Sequence, residues 1–167
     1  MNKALALTLA LVASTAVLAH DYRLDQLEVD HPWSRPTPPN AQVGGGFMTI
    51  TNHGNDSDRL ISVEVDFAQR VEIHETRQDG ELMRMVHLPE GIEIPAGETV
   101  QLMPGGYHVM FMGLTQALRE GEHLDAVLVF ERSGSLAVKF HVENQGSGGH
   151  SHGHGHSHDH GHSHDHH

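Results

Sequence analysis

The chain has 167 residues, a length that suits one domain rather than two. It contains no cysteine, which excludes disulfides, iron–sulfur clusters, cysteine-based zinc sites and blue-copper sites, and its formal charge of −12 argues against nucleic acid and anionic membranes as partners. The unusual counts are 18 histidines and 7 methionines, so imidazole and thioether groups are the first candidates for function.

Residues 1–19 have the composition of a secretory signal peptide. Lys3 gives a short basic start, an apolar run follows from Ala4 to Leu18, and a small residue, Ala19, ends the segment. The run is too short for a spanning helix and polar sequence follows it, so no stable membrane insertion is expected. We predict cleavage after Ala19, export to the periplasm and a mature chain that begins at His20.

Residues 20–143 are predicted to form one β-domain. Short strand-like runs alternate with segments rich in Gly, Pro, Asn and Asp, a pattern typical of an antiparallel β-sandwich. The predicted strands cover 24–30, 46–52, 60–66, 71–77, 82–87, 99–102, 107–113, 125–131 and 136–142. One short helical turn is expected at 114–119.

Two neighbouring strand-like runs contain the first candidate metal ligands. The dipeptide Asp79-Gly80 between them predicts a two-residue hairpin turn, which would place His74 directly opposite Met85. The same register would pair Glu75 with Arg84, two opposite charges. Opposed side chains have Cβ atoms about 4.5–5.5 Å apart, so this imidazole and thioether could share one metal ion.

The run at 107–113 contains the second pair of candidates. Alternation along a strand directs His108, Met110 and Met112 to one face and the residues between them to the other. If the two runs converge, His74, Met85, His108 and Met110 form a set of two imidazoles and two thioethers. Such neutral donors, with soft sulfur among them, favour Cu(I) over Cu(II), Mg²⁺ or Ca²⁺.

Other side chains are candidates for secondary metal binding. Met83 and Met112 lie near the predicted site, and the free amine and ring of His20 could chelate Cu(II) together. The tail, residues 144–167, is expected to be disordered without metal and to collect Cu(II) or Zn(II) through imidazole. Its histidines are His150, His152, His154, His156, His158, His160, His162, His164, His166 and His167.

Several residues are expected to have roles outside the ligand set. Met48 is predicted to lie in the core, and Trp33 to anchor the start of the sandwich. The alternatives of supporting residue, access route and core stay open for His87 and Met103. The remaining histidines have no evident partners and are interpreted as structural or solvated: His31, His53, His123 and His141.

The spacing of the candidate ligands resembles the PCu(A)C family of periplasmic copper chaperones. In that family's motif a His is followed after about ten residues by a Met, and after a little over twenty more by His-x-Met. Here His74 precedes Met85 by that interval, and His108-Val109-Met110 follows. The similarity extends over roughly 24–142.

The resemblance implies a cupredoxin-like, Greek-key β-sandwich that binds Cu(I) through the four matched residues. It also implies delivery of copper to an acceptor, either the CuA centre of cytochrome c oxidase or another copper chaperone. We expect a monomeric carrier rather than an enzyme.

Two other functions stay open. A copper or zinc buffer would work mainly through the tail, and deleting 144–167 would remove nearly all of its metal capacity. A copper oxidase would use His20 as an N-terminal chelate, and adding a residue before His20 would abolish its Cu(II) signal.

Overall fold

The computed structural model describes residues 21–144, which form eleven β-strands and no helix. The strands are β1 (Asp21–Leu24), β2 (Leu27–Ser34), β3 (Val43–Asn52), β4 (Asp58–Val65), β5 (Ala68–Asp79), β6 (Leu82–His87), β7 (Ile92–Ile94), β8 (Thr99–Leu102), β9 (Tyr107–Leu114), β10 (His123–Phe130) and β11 (Gly134–Val142). Among these residues, no helix has the length and apolar character needed to cross a membrane. The predicted signal peptide, His20 and the tail from residue 145 onward lie outside the described residues.

Three details of the predicted elements are wrong. The run 24–30 is divided between β1 and β2, because Asp25 has a φ of 54° and turns the chain back on itself. Strand β7 was not predicted, since three residues are too short to show an alternating pattern. The helical turn at 114–119 does not form, because the backbone N–H and C=O of Leu118 bond to Thr37 instead of to neighbours in their own segment.

The strands form one continuous sheet in the order β6-β5-β9-β8-β3-β2-β11-β10-β4-β7, with β1 added to β2 and β9 also paired with β3. Within the described residues the pairings are antiparallel except β11 with β2 and β8 with β9. The sheet folds over on itself, because Phe111 of β9 and Phe140 of β11 are separated by several strands and yet contact edge to face at 5.5 Å. The predicted all-β sandwich is confirmed.

The core lies between the two halves of the folded sheet. Val109 and Phe111 of β9 are fully buried there, opposite Phe140. Gly46 is required at this point, because a Cβ atom would lie 2.8 Å from Phe111 and 2.9 Å from Phe140. Met48 is also buried in this core, as predicted.

Candidate metal centre

Strands β5 and β9 bring the two predicted histidines together. They pair antiparallel, with His74 directly opposite His108 and Glu72 opposite Met110. The two imidazole rings have centroids 5.7 Å apart. The predicted convergence of the two segments is therefore confirmed.

Both histidines lie on the face of the sheet that points away from the core. Ile73 and Val109, their neighbours in sequence, are buried in the core, so alternation directs the histidines to the other face. His74 and His108 are nevertheless only 8% and 6% exposed. Two imidazoles are thus enclosed on the outer face of the sheet, outside the apolar interior.

The hairpin that follows β5 has a different register from the predicted one. Its two loop residues are Gly80 and Glu81, and Asp79 pairs with Leu82. Gly80 has a φ of 65°, whereas Glu81 does not have a positive φ, as expected of a type II′ turn with Gly at the first central position. The predicted turn at Asp79-Gly80 is wrong.

The corrected register changes the partners on the ligand face. His74 lies opposite His87, with ring centroids 5.5 Å apart, and Thr76 lies opposite Met85. The error is an even number of residues, so Met85 still shares a face with His74, as its diagonal rather than its direct neighbour. Met85 is 62% exposed.

A carboxylate orients the ring of His74. The Nε2–H of His74 donates to Oε2 of Glu72 at 2.7 Å, because a carboxylate can only accept. This hydrogen bond lowers the pKa of the Glu72 carboxyl below its ordinary value, and the guanidinium of Arg70, whose Nε lies 3.0 Å from Oε1 of Glu72, adds to the effect. The arrangement leaves Nδ1 of His74 as the ring nitrogen with a free lone pair.

A backbone carbonyl does the same for His108. Its Nδ1–H donates to the carbonyl oxygen of Gly106 at 3.1 Å, which leaves the lone pair on Nε2. Nδ1 of His74 and Nε2 of His108 are both buried and have no hydrogen-bond partner in the described part of the chain. Buried polar atoms are nearly always paired, so two unpaired nitrogens on adjacent imidazole rings point to a ligand that binds them.

The pocket beside His108 has a volume of about 290 Å³. Three of the four predicted ligands line it: Met85, His108 and Met110. Gly45, which pairs with Met110, leaves the floor open, since a Cβ atom there would lie 3.0 Å from the ring of Phe47. The pocket thus combines a thioether-rich wall with one of the unpaired ring nitrogens.

The other methionines lie farther from the two histidines. Met83 pairs with Gln78 near the hairpin turn and is exposed. The Sδ of Met112 accepts a hydrogen bond from Arg70 at 3.4 Å. Met103 is exposed in the loop before β9. The structure therefore does not bring these three into the pocket.

The histidines without evident partners in the sequence have partners in the structure. His31 lies 2.7 Å from Glu143, and His53 lies 2.9 Å from Glu28. His123 pairs with His141 across β10 and β11, with ring centroids 3.9 Å apart. The sequence offered no sign of these contacts, because each joins residues distant along the chain.

Trp33 does not enter the main core cluster. Its ring packs against Phe47 at a centroid distance of 4.6 Å. Phe47 in turn lines the pocket, together with Arg35. Trp33 thus supports one wall of the candidate site.

Comparison with known proteins identifies the family. Residues 27–142 match the model of the LpqE-like family, described as "Putative lipoprotein LpqE-like". The chain belongs to this family. A protein of Leifsonia xyli subsp. xyli with a similar lipoprotein description is 27% identical over 120 residues, which cover 72% of this chain and 71% of that protein.

Solved structures with the same fold are PCuAC domains. The copper-bound PCuAC domain from PmoF2 is 25% identical with a TM-score of 0.64, and covers 74% of this chain and 97% of its own. The apo PCuAC domain from PmoF1 is 26% identical with the same TM-score, and covers 74% of this chain and 98% of its own. The resemblance to the PCu(A)C family and the cupredoxin-like fold are therefore confirmed.

The sequence missed three parts of this centre. His87 opposite His74, Glu72 as the partner of Nε2, and the wall of Phe47 and Arg35 were not predicted. The alternation along β5 placed Glu72 on the face of His74, a signal that could have identified the carboxylate. The wall could not be foreseen, because its residues are distant in sequence from the candidate ligands.

Proposed function

We propose that this protein is an exported copper chaperone that carries Cu(I) on His74, Met85, His108 and Met110. The observation that supports this most strongly is the pair of buried, unpaired nitrogens, Nδ1 of His74 and Nε2 of His108. Family membership and the copper-bound PCuAC neighbour support copper as the cargo. Two imidazoles and two thioethers provide no negative charge, so a monovalent soft ion suits them best.

Release is proposed to begin at Met85. This side chain is largely exposed, whereas both histidines are enclosed. An acceptor's ligand can displace the outer thioether first and the inner nitrogens last, so that the ion is never free in solution. We propose the CuA centre of cytochrome c oxidase, or another copper chaperone, as acceptor, and a monomeric carrier exported by the signal peptide at 1–19.

Competition titration tests the proposal. Cu(I) is titrated against a chelator of known affinity, using the full-length chain with its tail histidines changed to Asn, so that the domain site is measured alone. His74→Ala and His108→Ala should each weaken Cu(I) binding by more than about 100-fold. That exceeds the typical cost of replacing a residue that only orients a ligand. Met85→Leu and Met110→Leu should weaken Cu(I) binding less. His53→Ala is the matched control, because His53 lies at the other end of β3 from Gly45. Unchanged affinity in all four variants would contradict the proposal.

The tail favours a second candidate function, a periplasmic copper or zinc buffer. It contains ten histidines in 18 positions of simple sequence, from 150 to 167. A chaperone should retain one tight Cu(I) equivalent and its capacity for transfer when those histidines are replaced. A buffer should lose nearly all of its metal capacity.

A further inference from the structure

We propose that the tail, residues 144–167, is an intramolecular copper donor for the pocket that Met85, His108 and Met110 line. The inference deepens the proposed function and rests on it, because it takes this pocket as part of the Cu(I) site. What the structure adds is the place where the chain leaves the folded domain, which the sequence does not indicate.

The tail begins beside the pocket. The backbone N–H of Glu143 donates to the carbonyl oxygen of Ser34 at 2.9 Å. The hydroxyl of Ser34 donates to the carbonyl oxygen of Gly45 at 2.6 Å. Gly45 lines the pocket, and so does Arg35, the residue after Ser34. Two hydrogen bonds therefore connect the last residue before the tail to a wall of the pocket.

The strand pairing limits the distance between this point and the candidate ligands. Val142 pairs with Ser34, and Ser34 pairs with Gly46. Gly46 pairs with Val109, which directly precedes Met110. Adjacent strands lie about 4.8 Å apart, so the three steps from β11 through β2 and β3 to β9 cover at most about 14 Å.

Side chains hold the start of the tail at this place. The ring of His31 donates to the carboxylate of Glu143 at 2.7 Å, since a carboxylate can only accept. The side-chain amide of Asn144 donates to Oε2 of Glu120 at 2.9 Å. The origin of the tail is therefore fixed relative to the pocket, and the reach of each tail histidine depends on its position in the sequence.

The tail has the length that this distance requires. Residues 145–149 are Gln, Gly, Ser, Gly and Gly, a composition that predicts a flexible linker. Such a chain spans about 5–6 Å times the square root of the residue number, so the six steps from Asn144 to His150 cover about 12–15 Å on average. The first tail histidine thus matches the distance to Met110. Groups tethered by a short flexible linker reach effective concentrations in the millimolar range.

The donor atoms of the two regions give the transfer a direction. The tail contains many imidazoles but no methionine and no cysteine, whereas the pocket combines an imidazole with the thioethers of Met85 and Met110. Imidazole is a good copper ligand, but Cu(I) prefers soft sulfur. A Cu(I) ion should therefore pass from the tail to the pocket by exchanging one imidazole at a time for a pocket ligand. Copper stays Cu(I) throughout, so the transfer needs no electron donor.

The charge beside the pocket also suits the tail. Arg35 is exposed, and within residues 21–144 its guanidinium forms no ion pair. The tail carries two carboxylates, Asp159 and Asp165, and no lysine or arginine. Attraction between these charges favours positions of the tail near the pocket, where the exposed thioether of Met85 is the first ligand to be met.

The test compares two spacers inserted into the full-length chain between Gln145 and Gly146. Sixteen prolines form a semi-rigid rod about 50 Å long, which holds the tail histidines away from the pocket. Sixteen alternating Gly and Ser residues form a flexible coil, which leaves the histidines within reach, and this protein is the matched control. Both insertions lie outside residues 21–144, so the folded domain and every tail histidine are retained.

Cu(I) is supplied as a complex with a coloured chelator, and two signals are followed. The chelator absorbance reports copper that leaves the chelator, and the ¹³C methyl signal of Met110 reports copper that arrives in the pocket. The delay between the two signals should be at least about 10-fold longer with the proline spacer than in the unmodified chain, and less than about 3-fold longer with the Gly-Ser spacer. Dilution of the protein should not change the delay, because the transfer occurs within one molecule.

Equal delays in the two spacer proteins would overturn the inference, since copper would then enter the pocket without the tail and this surface would serve the acceptor alone. A delay that lengthens on dilution would also overturn it, because the donor would be the tail of another molecule. Failure of the proposed function has a different signature, which is a Met110 methyl signal that stays unchanged at saturating Cu(I) in all of these proteins.

Discussion

Two regions of this molecule acquire their strand register in different ways. Strand β10 alternates buried and exposed residues along its length, and its neighbours β4 and β11 pack against the same core. In the β5–β6 ribbon, which we define as residues 76–85, side chains on both faces are largely exposed. Burial fixes register in the first region, because a one-residue slip would expose its apolar face. In the ribbon only the turn and the backbone ladder fix it.

The difference matters because the candidate site lies at the junction. Its two histidines are enclosed at the end of the well-packed part of β5 and β9, whereas Met85 lies on the ribbon. Enclosed nitrogens and an exposed thioether suit the proposed carrier, which must both hold an ion and release it.

The largest difference between the two regions should appear in stability. Phe140→Ala removes a fully buried ring that contacts Phe111, and should lower the free energy of unfolding by about 3–5 kcal/mol. Leu82→Ala, in an exposed position on the ribbon, should change it by no more than about 0.5 kcal/mol. Urea denaturation of both variants measures this, and similar losses would contradict the distinction between the regions.

The free energy of unfolding of the packed region should also depend more strongly on pH than that of the ribbon. Burial alone would raise the pKa of Asp58, but hydrogen bonds from the Ser133 hydroxyl and from the backbone N–H groups of Arg132, Arg59 and Ser133 lower it below the ordinary value of 3.8. The ionised carboxylate therefore stabilises the fold above about pH 4, and this contribution is lost as pH falls through the lowered pKa. Asp58→Asn should cost about 1–3 kcal/mol at pH 7.

The measurement is denaturant unfolding of wild type and Asp58→Asn at a series of pH values. The difference in the free energy of unfolding between wild type and Asp58→Asn should become smaller as the pH falls below 4. Asp56→Asn is the control, since that carboxylate is exposed and makes one ion pair with Arg132. If that difference in free energy stays constant down to pH 2, the negative charge of Asp58 is not what stabilises the fold at this position.

At the junction, the orientation of His74 should affect affinity more than stability. Glu72→Gln removes the negative charge of the carboxylate that accepts a hydrogen bond from Nε2–H of His74. This change should weaken Cu(I) binding by about 10-fold. Glu75→Gln is the matched control, because its side chain lies on the opposite face and pairs with Arg77. Competition titration distinguishes the two, and equal affinities would mean that Glu72 does not orient the ring.

The smallest effect is expected in the ribbon turn. Gly80→Ala places a Cβ atom at a φ of 65° and should destabilise the hairpin by about 1–2 kcal/mol. Asp79→Ala should cost less than about 0.5 kcal/mol, since Asp79 has no positive φ and makes only an exposed ion pair with Arg84. If Asp79 and Gly80 were instead the two central residues of the turn, alanine would be strained at both positions. Amide exchange in the ribbon measures both changes.

The sequence predicted most of the fold where burial imposes a pattern. Alternation in 107–113 correctly assigned Val109 and Phe111 to the core and His108 and Met110 to the other face. The same rule placed His74 and Met85 on one face even though the register was wrong, because that error was an even number of residues.

The register itself was not predictable from the ribbon's charges. The expected pair of Glu75 with Arg84 does not form. Arg77 lies opposite Arg84 instead, and each arginine is neutralised by a carboxylate on β5, Glu75 for Arg77 and Asp79 for Arg84. Long exposed side chains can find opposite charges in more than one register, so charge pairs specify strand alignment weakly.

Nitrogen NMR of the histidine rings tests whether Nδ1 of His74 and Nε2 of His108 bind the ion. In the apo protein His74 should be protonated at Nε2 and His108 at Nδ1, with the other ring nitrogen of each lacking a proton. One equivalent of Cu(I) should shift the signals of Nδ1 of His74 and Nε2 of His108 far more than those of their protonated partners. If both of these signals stay in place on saturation with Cu(I), neither nitrogen is a ligand of the ion.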